Sequence, residues 1–539
     1  MLTVQHLSKS IGAKTLFTDL DLHINPGEKV ALIGRNGQGK TTLLNIIGGV
    51  DHDYNGLISK RKNLKTVLTK QEHLVDNSTT ALEYILHSVP HYFEYEKVLK
   101  DFESKKQRDV YLYTEAVDYF SHNGYYYIKN LILSVLLDFQ ISNEKANSPL
   151  ITLSGGEKRF VELVRMMYSK ADLLLIDEPT NHMDYIGKEQ FINWMLKVKE
   201  TVLIVTHDRD VLQSVDRIIE LKDQTIFSFK GNYDHYLKQN TTNTKSSVVL
   251  YHNQLRKLSE AKKRVEWGLQ MRAKSKAWRI KYDHWQREHD QIKTETVRPS
   301  FWIDQKSVQD LDKVISDSYD KFKEKNIRIL THTDKEHVSN LLTVENLSLG
   351  YTSPLFSHIS FKVGHTARTF IKGRNSAGKS TLVRTILSRY KNKDSEAIIF
   401  DGEIKTADDI RIGEYEQEID RKYLPLKLED AIAMVYENYN ISISTTRIKS
   451  ILSQYLFDPS IDARQKIGEL SGGQKARFQL IKMFANKPNL LILDEPTNHL
   501  DLPSIEELEN ALQDYEGGIL YISHDSSFKN KLGGETIEL

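Results

Sequence analysis

The sequence predicts an α/β protein made of two homologous P-loop domains. An α-helical hairpin joins them, and a helical arm is inserted in the first. Three observations predict this. An ordered set of short motifs occurs twice in the 539 residues. Each glycine-rich loop follows an apolar stretch (VALI, RTFI) and precedes a helical pattern (TLLNII, TLVRTIL), so strand–loop–helix context is present both times. Between the two sets runs a long segment with helical periodicity and none of the motifs.

The first set is GRNGQGKT (Gly34 to Thr41), LSGGE (Leu153 to Glu157), LLLIDEPTNHMD (Leu173 to Asp184) and THD (Thr206 to Asp208). The second is GRNSAGKS (Gly373 to Ser380), LSGGQ (Leu470 to Gln474), LLILDEPTNHLD (Leu491 to Asp501) and SHD (Ser523 to Asp525). Ser154 and Ser471, Asp177 and Asp494, and His207 and His524 are all 317 positions apart, whereas Lys40 and Lys379 are 339 apart. The halves are therefore repeats with equal connections from LSGG onward. From Gln71 to Ser154 the first half runs 83 positions against 54 from Gln417 to Ser471, so it holds roughly 29 extra residues there, which we place in a helical, tyrosine-rich arm at about 92–130.

Glycines in such a loop let backbone N–H groups wrap phosphates at a helix N-terminus. Gly34, Asn36, Gly37 and Gly39 form the first loop, and Gly373, Asn375 and Gly378 the second. Lys40 and Lys379 are expected on the β- and γ-phosphates, with Thr41, Thr42, Ser380 and Thr381 beside them; Thr41 and Ser380 offer hydroxyls to Mg²⁺. Asp177 and Asp494 end apolar strands and can hold the same ion. Glu178 and Glu495 follow, placed to orient or deprotonate a water. His207 and His524 end further apolar strands (TVLIVT, GILYIS) within reach of a γ-phosphate. Ser154, Gly155 and Gly156, and Ser471, Gly472 and Gly473, begin helices and suit a second phosphate contact. Gln71 follows the strand pattern LKTVLTKQ, and Gln417 sits in GEYEQE; both are candidate Mg²⁺ contacts.

Composition excludes several classes. Cysteine is absent, so disulfides and cysteine-ligated zinc are ruled out, which fits a reducing cytosol. No apolar leader follows Met1, and no apolar run approaches the ~20 residues of a membrane-spanning helix. The expected location is cytoplasmic, with no membrane domain. The net charge is only +1, so any nucleic-acid surface has to be local.

These motifs resemble the ATP-binding cassette superfamily, over about four-fifths of the chain. The resemblance implies two cassettes, at 1–237 and 341–539, that pair head to tail within one monomer and sandwich ATP with Mg²⁺. One site would join Lys40, Thr41, Gln71, Asp177, Glu178 and His207 to Ser471 and Gly473. The other would join Lys379, Ser380, Gln417, Asp494, Glu495 and His524 to Ser154 and Gly156. Two positions depart from the family pattern. Tyr351 stands where the family places an aromatic on adenine, and its counterpart is Ile11. Ser376 replaces a loop glycine, Gly37 in the first half, and would strain the loop if its φ is positive.

The segment 238–340 has apolar positions Tyr251, Leu255, Leu258, Val265 and Leu269, then Val308, Leu311, Ile315, Tyr319 and Phe322. The two stripes break near Arg298-Pro299 and predict an antiparallel hairpin rather than a floppy linker. From Arg256 to Arg298 the net charge is +7, and four of the five tryptophans lie in this linker. Cations meet phosphates and aromatic faces stack on splayed bases, which makes Lys274, Lys276, Trp278, Arg279, Lys281, Trp285, Arg287, Arg298, Phe301 and Trp302 candidate RNA contacts. Trp285, Phe301 and Trp302 are expected nearest the tip. Any one of these tryptophans equally suits packing within the hairpin.

DEPTNHMD and DEPTNHLD, with the arm and the hairpin, resemble the ABC-F family of ribosome-binding ATPases. That resemblance implies binding to the exit site of the bacterial 70S ribosome (23S rRNA) in the ATP-closed state. The hairpin would reach P-site tRNA and the peptidyl-transferase centre. A linker near 100 residues favours antibiotic resistance by ribosome protection over a housekeeping translation factor. The rivals from other classes are an ATPase subunit of a membrane transporter and a DNA-repair cassette protein; the basic, Trp-rich linker speaks against the transporter subunit.

Overall fold

We describe a computed structural model covering all residues except 13, 70–77, 105–108, 182, 296–339, 392–393, 417–418, 456, 471 and 499. Side chains at 241, 243–252, 255, 294–295, 472–473, 503 and 507 are also left undescribed.

In the first cassette the strands are β1 (Leu2–Ile11), β2 (Lys14–Ile24), β3 (Lys29–Gly34), β4 (Asn55–Lys60), β5 (Thr66–Leu68), β6 (Leu173–Asp177), β7 (Thr201–Val205), β8 (Arg217–Lys222) and β9 (Thr225–Lys230). They form an antiparallel sheet, β2-β1-β4, and a second sheet of order β5-β6-β7-β3-β8-β9. The second cassette repeats the plan with β10 (Leu342–Gly350), β11 (Pro354–Val363), β12 (Arg368–Lys372), β13 (Ile398–Thr406), β14 (Ile412–Tyr415), β15 (Leu490–Asp494), β16 (Gly518–Ile522) and β17 (Glu535–Glu538). Its sheets run β11-β10-β13 and β14-β15-β16-β12-β17.

The central strands are near-continuous apolar runs because both faces of a parallel sheet are covered. Val30, Ala31, Leu32 and Ile33 are all at most 1% exposed, as are Val202 to Val205. Helix α1 (Lys40–Gly48) leaves the end of β3 and buries Leu43, Leu44, Ile46 and Ile47 against that sheet. Parallel register sets Asp177 beside Val205 and Asp494 beside Ile522. The P-loop, the DE carboxylates and the histidine thus emerge from the carboxyl ends of adjacent strands, where open α/β sheets bind ligands.

The arm consists of α2 (Tyr92–Glu103) and α3 (Val110–His122), followed by α4 (Ile128–Asp138). Its aromatics pair as an antiparallel ladder: Tyr92 with Phe120 at 5.5 Å, Tyr95 with Tyr119 at 4.6 Å and Phe102 with Tyr113 at 4.1 Å. Most of the tyrosines therefore pack the arm, while Tyr111, Tyr126 and Tyr127 stay exposed.

After α5 (Gly155–Tyr168), α6 (Tyr185–Lys197) and the short α7 (Arg209–Leu212) comes a separate unit, Phe229–Arg328. It contains α8 (Tyr233–Met271) and α9 (Lys276–Glu295), which pack on each other. The chain reverses at 272–275, within the stretch the apolar pattern reads as one helix, while Arg298-Pro299 lies outside the described residues. The seam on α8 uses small residues, Ala261 and Gly268, with Val265 half-buried, while Leu269 points outward. A Cβ on Gly268 would lie 3.0 Å from the Trp285 ring, so the missing side chain makes room for that indole. Trp285 is therefore a seam residue about three turns from the reversal and not a tip residue. Trp267 and Trp278 complete the cluster, their rings 4.9 Å apart edge to face. Periodicity missed this reversal because it weighed large apolar residues, whereas close helix packing here depends on small ones. The second predicted stripe, Val308 to Phe322, lies outside the described residues, as do Arg298, Phe301 and Trp302.

Candidate nucleotide sites

Each P-loop closes on its lysine. Lys40 Nζ donates to the carbonyls of Gly34 at 2.7 Å and Arg35 at 3.2 Å; Lys379 Nζ donates to Gly373 and Arg374, both at 2.8 Å. The lysines begin α1 and α10 (Lys379–Tyr390), and Gly39 and Gly378 cap those helices in the left-handed region. Gly34 has to be glycine, since a Cβ there would lie 2.5 Å from the Leu221 carbonyl oxygen. Ser376 has φ +64° and Gly37 has φ +79°, so the serine holds a conformation that costs a residue with a Cβ about 1 kcal/mol.

Thr41 Oγ1 donates to Asp177 Oδ2 at 2.9 Å, and the Ser380 hydroxyl likewise bonds Asp494. A hydroxyl and a carboxylate meeting under a lysine are the hard oxygen donors Mg²⁺ takes alongside phosphates. Glu178 and Glu495 both have positive φ, +45° and +49°. Their N–H groups are pinned to the Val205 and Ile522 carbonyls at 2.8 and 3.0 Å, which holds the strained turn. Burial pushes both carboxyls up to about 7, a range suited to taking a proton from water. Burial pushes His207 and His524 down to about 3, so both rings are neutral at pH 7.

Asn36, Gly37, Gly39, Lys40, Thr41, Thr42, Asp177, Glu178 and Ile11 line one cavity of about 300 Å³. Asn375, Gly378, Lys379, Ser380, Thr381, Asp494, Glu495, His524 and Tyr351 line another of about 410 Å³. Ile11 and Tyr351 thus hold matching places at the two mouths. Each of these two linings comes from a single cassette, so Ser154, whose side chain caps α5, does not line the cavity at Lys379. Gly155 and Gly156 start the same helix. Gly472 and Gly473 start α11 (Gly472–Phe484), while Gln71, Gln417 and Ser471 lie outside the described residues.

The cross-cassette contacts come instead from residues sequence reading passed over. Asp501 Oδ2 accepts from the Asn36 backbone N–H at 3.1 Å, and Asp184 Oδ2 from that of Asn375 at 3.3 Å. Asp184 and Asp501 also cap α6 and α12 (Leu502–Gln513). Their shared 317-residue spacing, the same as that of the other repeated residues, was the available signal.

Two facing P-loop sites, each with a lysine, a hydroxyl–carboxylate pair and a buried glutamate, define a tandem-cassette ATPase. The family described as ABC transporter matches residues 17–181 and 356–498, and the chain belongs to that family. It is 29% identical to the ATP-binding protein YdiF of Bacillus subtilis (strain 168), over 100% of this chain and 80% of that protein. It is 26% identical to ABC transporter F family member 2 of Arabidopsis thaliana, over 99% and 76%. Among solved structures it resembles the archaeal ribosome recycling factor aABCE1 in complex with a ribosomal stalk protein, with TM-score 0.56, 14% identity and coverage of 99% and 87%. Among the described residues no helix is long and apolar enough to cross a membrane.

Proposed function

We propose that this ATPase is an ABC-F protein that binds the bacterial ribosome at the tRNA exit site when ATP closes its cassettes, with Mg²⁺ held at Thr41 and Asp177 and at Ser380 and Asp494. The observation that carries this reading is the separate helical unit between the cassettes. Lys274, Lys276, Arg279, Lys281 and Arg287 are all exposed on it. Its indoles meet each other, and Lys281 lies 4.9 Å over the Trp278 ring. The exposed cations are thus the surface offered to phosphates. Its relatives include a protein named as an F family member.

In this reading the linker reaches P-site tRNA and the peptidyl-transferase centre, and the protein displaces bound drug. The housekeeping alternative is relief of stalled ribosomes without drug protection. A sensitive bacterium expressing the chain should gain resistance to drugs bound near the peptidyl-transferase centre. ATP-locked protein should cosediment with 70S particles. Cosedimentation without resistance selects the housekeeping role, and no cosedimentation ends the proposal.

A further inference from the structure

The repeat is broken at a buried lysine between the cassettes. Lys188, on the first turn of α6, is 5% exposed. Its Nζ lies 3.2 Å from Asp208 and 2.7 Å from Asp210, both of its own cassette. It also donates, at 2.6 Å, to the backbone carbonyl of His524 in the other cassette. Ser526, again across the boundary, donates to Asp210 at 3.0 Å. The 317-residue offset puts Ile505 opposite Lys188 and Ser527 opposite Asp210, so the second cassette has no matching cation.

What Lys188 holds is one end of a short chain of contacts. The His524 backbone N–H donates to Glu495 Oε2 at 3.2 Å, and its Nε2 lies 3.2 Å from Glu495 Oε1. The first site repeats the backbone contact, His207 N–H to Glu178, with His207 Nε2 at 3.6 Å from that carboxylate; neither the His207 ring nitrogens nor Glu495 Oε1 has a hydrogen-bond partner. A buried ammonium with two carboxylates and a carbonyl around it is over-determined in position.

We propose that Lys188 is a positioning residue acting across the cassette boundary: it fixes the His524 loop, and with it Glu495, for hydrolysis at the second ATP site, while the His207 loop of the first site is tied across the boundary by Arg209 and Glu509 instead. Hydrolysis at the second site thereby depends on docking of the first cassette. The inference needs only the ATPase activity and no partner.

The test uses the full chain with one glutamate silenced at a time. Glu178→Gln leaves the second site to hydrolyse, and Glu495→Gln leaves the first. Into each goes Lys188→Ile with Asp210→Ser, the residues the second cassette itself uses at those places. Single-turnover hydrolysis is followed against ATP concentration. In Glu178→Gln the saturating rate should fall about tenfold while the half-saturating ATP concentration moves less than about twofold. In Glu495→Gln the rate should hold within about twofold. Lys188→Arg, which keeps the cation, should restore most of the second-site rate. Equal losses in both backgrounds, or an undiminished second-site rate, would overturn the proposal. Should the paired substitution unfold the chain, Lys188→Arg against Lys188→Gln gives the same comparison, and loss at both sites in Lys188→Gln overturns it as well.

Discussion

Asp501 accepts a hydrogen bond from the backbone N–H of Asn36 at 3.1 Å, so the loop that starts α12 in one cassette rests on the P-loop of the other. Asp184 does the same to Asn375 at 3.3 Å. Each carboxylate also caps its own helix, Asp184 through Gly187 N–H at 2.9 Å and Asp501 through Ser504 N–H at 3.1 Å. The P-loop of each site is thus tied to a helix start in the other cassette.

These two duties can be separated by substitution. Asp501→Ala should lower stability by about 1 kcal/mol through loss of the cap and should slow ATP turnover as well. Asp501→Asn keeps a good cap and should affect turnover alone. Thermal denaturation beside steady-state hydrolysis reads both. Equal stability losses in the two variants would mean the cap is not what the carboxylate contributes.

The buried glutamates are assigned to the attacking water. Glu178→Gln with Glu495→Gln should cut turnover by at least about a hundredfold and leave ATP binding intact. Under the proposed function the variant also accumulates on ribosomes. Normal phosphate release from it would remove the assignment.

Ser376 holds the left-handed conformation that Gly37 holds in the first loop. Ser376→Gly should stabilise the second cassette by about 1 kcal/mol, and Gly37→Ser should destabilise the first by a similar amount. A Cβ on Gly37 would meet nothing closer than Lys14 Nζ at 3.7 Å, so backbone conformation alone is tested. Melting temperatures should move in opposite directions.

Arg209 and Glu509 form an ion pair at 2.6 Å across the cassettes, and the Glu509 side chain is fully buried. Arg209→Ala should destabilise the paired cassettes by roughly 3 kcal/mol, because the carboxylate loses its shorter partner. Lys531, 2.7 Å away, offsets part of the loss. Arg209→Met with Glu509→Leu should recover most of it. Urea denaturation of the three chains decides this.

Charge reversal at Lys274, Lys276, Arg279 and Lys281 should weaken ribosome binding and flatten its dependence on salt, with ATP hydrolysis unchanged. Unaltered binding would show that the exposed face of α9 and its turn is not the RNA contact.

The two P-loops, the DE pairs and the paired histidines could be read in the sequence because each is a short local pattern whose chemistry requires particular residue types at fixed spacing. The left-handed φ of Ser376 could be anticipated from its alignment with Gly37, and the matched places of Ile11 and Tyr351 from the repeat. The reversal at 272–275 could not. It depends on Gly268 admitting an indole, and a residue with no side chain leaves no mark on an apolar pattern. Nor could the contacts of Asp184, Asp501 and Lys188, since each joins atoms more than 150 residues apart and arises only when two folded cassettes meet. Two nucleotide-hydrolysing halves are legible along the chain because periodicity and loop chemistry are local. That the halves are unequal where they touch emerges with packing, because a buried lysine takes its meaning from the acceptors brought to it.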